Sequence, residues 1–314
     1  MQTIRSLQEF TPPQAGTCVT IGNFDGVHRG HQKLIQRVRE KSRSKGLVST
    51  IVTFDPHPLR VLLNRKTPPF ITLTEQKLEL IAGMGIDLTL CLPFTRDLAA
   101  LQPEDFVRTY LLDGLNMKEL VVGYDYAFGK NRKGNFQVLK ELGERYGYRT
   151  EQVDPVLVDG AIVSSTRIRD MVEAGMVWEV YPLLGRYYRV SGQVIHGRDR
   201  GGKLLGFPTA NLQLVDELFP KPGVYAVWTE VEGKIHPAVA NIGYNPTFGN
   251  EVISVEVHIL EFQSMIYEQT INIHFVQRLR DEKKFSGLDE LIAQIRKDIQ
   301  LARTILDSSE ARIA

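Results

Sequence analysis

Two histidines that lie three residues apart, His28 and His31, occur in the segment GNFDGVHRGH, directly after the apolar run TCVTI. Imidazole N–H groups can stabilise the charge that develops on phosphate oxygens during group transfer. The glycines of this segment, Gly22, Gly26 and Gly30, allow the backbone to approach a phosphate without an intervening Cβ. The pattern therefore predicts a phosphate-handling site between a first strand and a first helix.

Two other interpretations of the histidine pair remain open. Together with Asp25 the histidines could ligate a metal, although no nearby cysteine or glutamate completes a set of ligands. They could also be two unrelated surface histidines, which would leave the glycines unexplained.

A second glycine-rich stretch, GQVIHGRDRGGKLLGFPTANL, covers residues 192–212 and lacks the GK[ST] of a Walker A loop. Pro208 restricts the local backbone. Thr209 and Asn211 lie two residues apart and can present oxygen atoms to one hard cation such as Mg2+. The stretch indicates phosphate binding, and a glycine-rich hairpin without a ligand is the alternative.

The segment VISVEVHIL contains a carboxylate that could serve a kinase. Period-two alternation places Val255 and Val257 on one face of the strand and Glu256 and His258 on the other. Glu256 could accept the proton of an attacking hydroxyl. The alternative is that both polar residues lie on the solvated side of a sheet.

Basic residues add two further features. In SSTRIR, Ser165 and its neighbours can cap a helix while Arg167 grips a phosphate with its planar guanidinium; an ordinary cap with an exposed arginine is the alternative. On the first helix, four basic residues repeat every four positions, and like charges at that spacing weaken a helix unless an anion or solvent compensates. We expect this row to be a solvated face: Lys33, Arg37, Lys41 and Lys45.

The elements that position these residues change in character along the chain. β-branched runs at 18–22, 48–54, 87–92 and 119–123 alternate with amphipathic stretches at 31–46, 74–85 and 103–115, which predicts βαβ units on a parallel sheet. Strand-like segments then follow one another at 187–195, 223–231, 236–243, 252–260 and 269–276. An apolar helical stripe from Leu288 follows, which predicts an antiparallel barrel with a C-terminal helix. We expect a domain boundary between residues 184 and 185.

Composition excludes several classes of protein. The chain has 314 residues, 43% hydrophobic and 24% charged, and a net charge of +1, so no global field points to nucleic acid or an acidic membrane. We find no secretory signal core and no apolar run of about 18 residues, the length that a membrane span needs. Cys18 and Cys91 lie in apolar stretches and suit a reducing cytosol. We therefore expect a cytoplasmic protein of small-molecule substrates, without nucleic-acid or membrane partners, and leave weak self-association open.

Several separated motifs resemble the bacterial bifunctional riboflavin kinase/FMN adenylyltransferases. In the first half they are GNFDGVHRGH, TFDPHP (53–58), VGYDYAFGKNRKGN (122–135) and SSTRIRDMVEAG (164–175). In the second half they are GKLLGFPTAN, PGVYAV, ANIGYNPTFG and VEVHIL. The resemblance covers roughly residues 19–285 and departs from the usual pattern at Tyr126 and Tyr187. It implies an α/β nucleotidyltransferase-type parallel-sheet domain (1–184) followed by an antiparallel β-barrel riboflavin kinase domain with a C-terminal helix (185–314).

The resemblance also implies the chemistry. The barrel would phosphorylate riboflavin with ATP to give FMN, and the α/β domain would join AMP from a second ATP to FMN, giving FAD and pyrophosphate, with Mg2+ as cofactor. One alternative is a nucleotidyltransferase for another phosphorylated acceptor, such as a pantetheine or pyridine mononucleotide, which leaves the barrel half without a role. Another is a flavin-binding regulatory protein with decayed catalysis, which predicts that the catalytic residues are lost.

Individual residues acquire roles from the same resemblance. The implied catalytic residues are His28, His31, Arg167 and Glu256. The implied ATP-binding residues are Gly22, Asn23, Phe24, Gly26, Ser165, Gly197, Lys203, Gly206, Pro208 and Thr209. The implied flavin-binding residues are Asp55, His57, Asp125 and Arg280, and the implied Mg2+ ligands are Thr209 and Asn211.

Overall fold

The computed structural model describes residues 1–8, 10–63, 67–130, 133–196, 206–213, 215, 218–247 and 250–311, with the backbone alone at 245–247 and 250–252. The chain forms two compact units. The first consists of Met1–Pro68 and Thr72–Ser165, and the second of Pro69–Ile71 and Thr166–Ala314. The contact boundary thus precedes residue 184, and the boundary between catalytic domains at 184/185 stays a prediction.

The first unit contains a six-stranded sheet, and every neighbouring pair of its strands is parallel. The predicted strands are present as β2 (Thr17–Ile21), β3 (Val48–Asp55), β4 (Leu88–Pro93) and β5 (Met117–Gly123). The sequence did not predict the edge strands β1 (Gln2–Ile4) and β6 (Arg149–Val153). The order β1-β4-β3-β2-β5-β6 confirms the predicted parallel sheet.

The helical elements follow the strands in the order that βαβ units require. They are α1 (Arg29–Lys45), α2 (Pro58–Leu62), α3 (Thr74–Gly83), α4 (Arg96–Ala100), α5 (Pro103–Phe106) with a π-helix (Val107–Asp113), and α6 (Phe136–Tyr146). A short hairpin, β7 (Leu157–Val158) with β8 (Ala161–Ile162), precedes α7 (Ser165–Glu173) and α8 (Val177–Leu184). Within the described residues, no helix combines the length and the apolar character needed to cross a membrane.

The centre of the sheet is buried on both faces. Val19 and Ile21 of β2 belong to one hydrophobic cluster, whereas Cys18 belongs to another. This explains why the run TCVTI is almost continuously apolar rather than alternating. Cys18 and Cys91 are both buried and free.

The basic row of α1 is solvated only in part: Lys33 and Lys45 are exposed and Arg37 is 43% exposed, as expected, whereas Lys41 is 13% exposed. Lys41 Nζ lies 2.9 Å from Glu119 Oε2 and 2.7 Å from Glu151 Oε2, and Lys45 also bonds Glu119. Arg37 Nε lies 2.5 Å from Glu151 Oε1. The partner carboxylates belong to β5 and β6, distant in sequence from α1, so the helical periodicity alone could not indicate them.

The second unit contains the predicted antiparallel barrel. Its strands are β9 (Tyr188–Ile195), β10 (Ala210–Gln213), β11 (Gly223–Val231), β12 (Lys234–Thr247), β13 (Asn250–Ile259) and β14 (Thr270–Arg280). The barrel closes in the order β10-β13-β12-β11-β14-β9. The predicted C-terminal helix is α9 (Leu288–Leu306), and it packs against β11, β12 and β14. The sequence missed β10, which is hidden in the glycine-rich stretch.

Successive side chains of β13 alternate between the core of the barrel and its outer surface. Val255, Val257 and Ile259 are buried, whereas Glu256 and His258 are half-buried on the opposite face. The predicted facing of this strand is therefore confirmed, and Glu256 and His258 belong to the surface of the barrel that α9 partly covers.

Candidate active sites

The histidine pair of the first unit lies where β2 gives way to α1. His28 caps α1, because its Nδ1 accepts the backbone N–H of His31 at 3.4 Å. The two imidazole rings are stacked, with their centroids 3.6 Å apart. A Cβ on Gly30 would lie 3.1 Å from the His28 ring, so glycine permits this close approach. With Nδ1 acting as an acceptor, the neutral His28 ring carries its proton on Nε2, as a donor to a phosphate requires.

Asp25 and Thr72 hold the loop before these histidines in a two-way contact that we call the Asp25–Thr72 clasp. The Thr72 N–H donates to Asp25 Oδ1 at 3.2 Å, and the Gly26 N–H donates to Thr72 Oγ1 at 3.0 Å. The Ser165 hydroxyl donates to the Asp25 carbonyl at 3.0 Å. Among the described residues, no group of three or more His, Cys, Asp or Glu side chains is arranged to hold a metal ion. Asp25 therefore braces the loop, and the metal interpretation gains no support.

The loop itself has an unusual backbone. Phe24 has a φ of +52° and Gly26 a φ of +83°. Phe24 is buried, and its ring meets His31 edge-on with centroids 5.2 Å apart. The Gly22 N–H donates to the Val52 carbonyl, and Gly26 is engaged by the clasp. The amides predicted to approach phosphate at these two glycines are thus already hydrogen-bonded within the protein, because they shape the loop instead. Asn23 is exposed.

The other motifs of the first half lie at the same edge of the sheet. Since β3, β2 and β5 are parallel neighbours, their carboxyl ends share one edge, the usual ligand edge of such sheets. Asp55 ends β3 and accepts hydrogen bonds from Arg5 at 3.0 Å and Thr74 at 2.9 Å. His57 caps α2 through the Leu59 N–H. Asp125 is exposed just beyond β5.

Sequence reasoning missed a buried lysine at this edge. Lys77 on α3 is 5% exposed, and its ammonium group donates to the carbonyl of Phe54, near the end of β3, at 3.0 Å. Burial lowers the pKa of Lys77, and the carboxylates of Asp25 and Asp55 oppose that effect. The only sequence signal was a single lysine directly before the pattern LELIAG of α3, and such a lysine is too common to be distinctive.

The SSTRIR motif forms a helix start, as the sequence predicts. Ser165 is the first residue of α7, and its hydroxyl contacts the histidine loop through Asp25. Arg167 lies in the first turn of α7 and is half-buried. The predicted ATP contacts Gly197 and Lys203 lie outside the described residues, whereas Gly206 is exposed with a φ of +75°.

The second unit has two cavities beside the GFPTAN segment. The helix-side cavity, of about 280 Å³, lies between the barrel surface and α9. The loop-side cavity, of about 380 Å³, lies between the Pro208–Ala210 segment and residues 262–267. Thr209 lines both cavities, and Glu256 lines the helix-side cavity. Apolar residues supply much of the helix-side wall: Val224, Val239, Phe285, Leu291, Ile295 and Ile299.

Glu256 is flanked by two asparagines on neighbouring strands. It is the register partner of Asn211 on β10 and of Asn241 on β12. Burial raises the pKa of Glu256. Within the described part of the chain, no residue donates a hydrogen bond to its carboxylate. The carboxyl group is thus partly desolvated and faces a cavity.

His258 has a different task from that of its neighbour Glu256. Its Nδ1 lies 2.8 Å from the Pro208 carbonyl, which can only accept, so this nitrogen donates. The Phe207 ring meets the His258 ring edge-on at 5.6 Å. His258 therefore fastens the segment that carries Thr209 to β13.

Arg280, for which the family resemblance implies a flavin contact, lines the helix-side cavity. Its guanidinium group forms a fork with Asp298 of α9, with N–O distances of 2.8 to 3.1 Å. Gln294 also donates to Asp298, at 2.8 Å. Arg280 thus ties the end of β14 to the helix that closes the cavity.

Comparisons with known proteins cover nearly the whole chain. A family model described as FAD synthetase matches residues 11–167, and one described as riboflavin kinase matches residues 184–306. The bifunctional riboflavin kinase/FMN adenylyltransferase of Pseudomonas fluorescens is 38% identical over 313 residues, 99% of this chain and 100% of the relative. The Escherichia coli K12 protein of the same name is 38% identical over 96% of this chain and 97% of its own length.

The fold as a whole also occurs in a solved structure. A crystal structure described as a macrolide-efflux protein from Streptococcus pneumoniae aligns with a TM-score of 0.87 and 32% identity. The alignment covers 96% of this chain and 98% of the other. The efflux description belongs to that protein.

Proposed function

The chain belongs to the family of bifunctional riboflavin kinase/FMN adenylyltransferases and converts riboflavin to FMN and FMN to FAD; from this premise we propose which residues carry each step. We assign the kinase step to the barrel and the adenylyl step to the α/β domain, with the boundary at 184/185. The flavin-sensor alternative predicts loss of catalytic residues, yet His28, His31, Arg167, Thr209 and Glu256 are all retained.

The observation that carries the kinase assignment is the position of Thr209 between two cavities. Glu256 lines the helix-side cavity, so the hydroxyl that it deprotonates must lie there, and the apolar wall suits the flavin ring. ATP then occupies the loop-side cavity. The ribityl oxygen attacks the γ-phosphorus, its proton passes to Glu256, and the bond from the γ-phosphorus to the bridging oxygen breaks to release ADP.

Thr209 and Asn211 fit a magnesium site of the kind that relies on substrate phosphates. Both offer neutral oxygen atoms, and Mg2+ usually takes few protein ligands beside phosphate oxygens and water. When bound, the ion neutralises charge on the triphosphate. Thr209 and Asn211 would hold it at the start of β10, next to Glu256 in the strand register.

The histidine loop suits adenylyl transfer without a general base, because the attacking FMN phosphate is already anionic. That phosphate attacks the α-phosphorus of ATP, and pyrophosphate leaves. His28 donates from Nε2, His31 adds a second imidazole stacked on it, and Arg167 takes the charge of the leaving pyrophosphate. We place both reactions in the cytoplasm, which agrees with the free cysteines.

One experiment tests both assignments in the full chain. FMN and FAD are followed over time from riboflavin, and FAD is followed separately from supplied FMN. Glu256→Gln should abolish FMN formation and leave FAD formation from FMN intact, whereas His31→Ala should do the reverse. Glu261→Gln, at an exposed barrel glutamate, and Gln36→Ala, at an exposed position of α1, are the matched controls. Equal loss of both reactions in either variant would contradict two separate sites.

A further inference from the structure

Asn241 on β12 lies directly across from Glu256 on β13 and shares its cavity. The side chains of residues paired across two antiparallel strands point to the same face, with Cβ atoms about 5 Å apart. Asn241 is half-buried, and the sequence pattern ANIG gave no reason to single it out. Glu256 and Asn241 therefore form a polar pair within the cavity.

The polar side chains of the helix-side cavity differ in how they are satisfied. Arg280 is held by Asp298, His258 by the Pro208 carbonyl, and Lys283 by Glu290 at 2.7 Å. For the Asn241 amide and the Glu256 carboxylate, the described residues supply no hydrogen-bond partner. Thr209 and Glu282 of the same cavity likewise have none among the described residues, but only Asn241 and Glu256 are paired across neighbouring strands. Both side chains are half-buried, so water satisfies them in the cavity and a ligand with its own polar groups can replace that water.

The chemistry of the pair defines that ligand. An ionised carboxylate only accepts hydrogen bonds, whereas an amide both donates and accepts. A short chain with several hydroxyl groups satisfies both, since each hydroxyl also donates and accepts. Riboflavin carries such a chain, the ribityl group, beside a flat apolar ring.

We propose that Asn241 binds an internal hydroxyl of the ribityl chain and thereby determines which hydroxyl reaches Glu256. This inference rests on the proposed kinase function of the barrel. Asn241 is then a specificity-determining residue: it reads the polyol chain, while Glu256 acts on the terminal oxygen. An acceptor without that internal hydroxyl leaves the amide unpaired and loses affinity.

The other asparagine beside Glu256 provides a matched comparison. Asn211 flanks Glu256 from β10, but it is not among the residues that line either cavity. We assign Asn211 to the metal side and Asn241 to the acceptor side. The same substitution, asparagine to leucine, should therefore have two different consequences.

The test measures kinase kinetics of the full chain with riboflavin and with three analogues that lack the 2′-, 3′- or 4′-hydroxyl. One analogue should cost the unmodified enzyme about tenfold in kcat/KM, the order expected for an unsatisfied polar group. With riboflavin, Asn241→Leu should lose about tenfold in kcat/KM, mainly through a higher KM. When that analogue replaces riboflavin, the kcat/KM of the variant should fall by less than about a further twofold. Asn241→Leu should keep its Mg2+ requirement, whereas Asn211→Leu should raise it.

Folding is checked independently of activity. Both tryptophans, Trp178 and Trp228, pack in the second unit against a cluster that includes Ala302 and Leu306 of α9, so their fluorescence reports unfolding of that unit. Asn272→Leu, on β14 outside the cavity, controls for replacing an asparagine in a barrel strand. If Asn241→Leu unfolds early, Asn241→Thr, which suits a strand, repeats the analogue comparison.

Three results would overturn the inference: equal analogue penalties in the unmodified and variant enzymes, a changed Mg2+ requirement in Asn241→Leu, or a shifted pH profile with unchanged KM. The last would mean that Asn241 acts on Glu256 rather than on substrate. Failure of the proposed function looks different, because Glu256→Gln would then still make FMN whatever Asn241 does.

Discussion

The histidine loop and the cavity face of the barrel, to which we assign the two reactions, use hydrogen bonds in opposite ways. In the loop, backbone amides and the Asp25 carboxylate are engaged within the protein through the clasp. On the barrel, the strand ladder already fixes the backbone, and the Glu256 carboxylate has no donor among the described residues. An irregular segment needs internal bracing to orient its histidines, whereas a barrel can leave functional groups unpaired.

Two glutamates, one in each unit, show the same contrast in the direction of their pKa shifts. Burial would raise the pKa of Glu119, but hydrogen bonds from Lys45 and Lys41 outweigh burial and hold that pKa below its ordinary value. For Glu256, burial acts alone and raises the pKa. Glu119 therefore stabilises the α/β unit in its ionised form, whereas the ionised form of Glu256 destabilises the barrel.

The largest expected effect comes from Glu119→Gln. Removing one partner of a buried ion pair costs about 3 kcal/mol, which for a unit of this size lowers the midpoint of thermal inactivation by about 5 to 10 °C. FMN adenylyltransferase activity after heating measures the effect, and kinase activity in the same samples reports the other unit. Glu144→Gln, at an exposed position of α6, is the control.

The pH dependence of that loss follows from the lowered pKa of Glu119. The native state binds this proton more weakly than the unfolded state, so the contribution is present at neutral pH and lost as pH falls through the folded pKa. The difference in thermal stability between the unmodified protein and Glu119→Gln should therefore shrink at acid pH. A loss that is equal at neutral and acid pH would assign the effect to shape rather than charge.

A smaller effect is expected from Thr72→Val, which removes one of the two hydrogen bonds of the clasp and keeps the one from the backbone N–H to Asp25. The buried Gly26 amide loses its acceptor, a cost of about 1 to 3 kcal/mol, and the loop before His28 loosens. FAD formation from FMN should fall about tenfold while FMN formation from riboflavin is unchanged. Thr50→Val is the matched control, because the Thr50 hydroxyl bonds only the nearby Val48 carbonyl in the described structure. If both variants lost FAD formation equally, the clasp would not be the cause of the loss.

The sequence predicted what depends on local pattern. Period-two alternation in VISVEVHIL correctly separated Glu256 from the core, and the step from TCVTI into GNFDGVHRGH correctly marked a strand end and a helix start. These features follow from backbone geometry over fewer than about ten residues, and the sequence records them directly.

Features that depend on partners distant in sequence could not be predicted from local patterns. The register of β12 with β13 places Asn241 beside Glu256. The partners of the basic row of α1 lie on β5 and β6. Likewise, the amides of Gly22 and Gly26 appeared available for phosphate because their acceptors lie elsewhere in the chain. In each of these cases the environment of the residue is set by contacts between distant segments, and no local periodicity of the sequence indicates such contacts.

The smallest effect has the opposite sign to that of Glu119. Because burial raises the pKa of Glu256 above its ordinary value of 4.5, the native barrel binds this proton more tightly than the unfolded chain and is destabilised once the carboxylate is ionised. Glu256→Gln should therefore stabilise the second unit by about 1 kcal/mol at neutral pH, measured by tryptophan fluorescence during urea unfolding, and the gain should vanish as pH falls below that ordinary value. Glu261→Gln removes only an exposed ion pair with Arg303 and should not stabilise the unit at any pH. A less stable Glu256→Gln barrel at neutral pH would mean that the carboxylate is a structural group like Glu119, and the contrast between the two units would not hold.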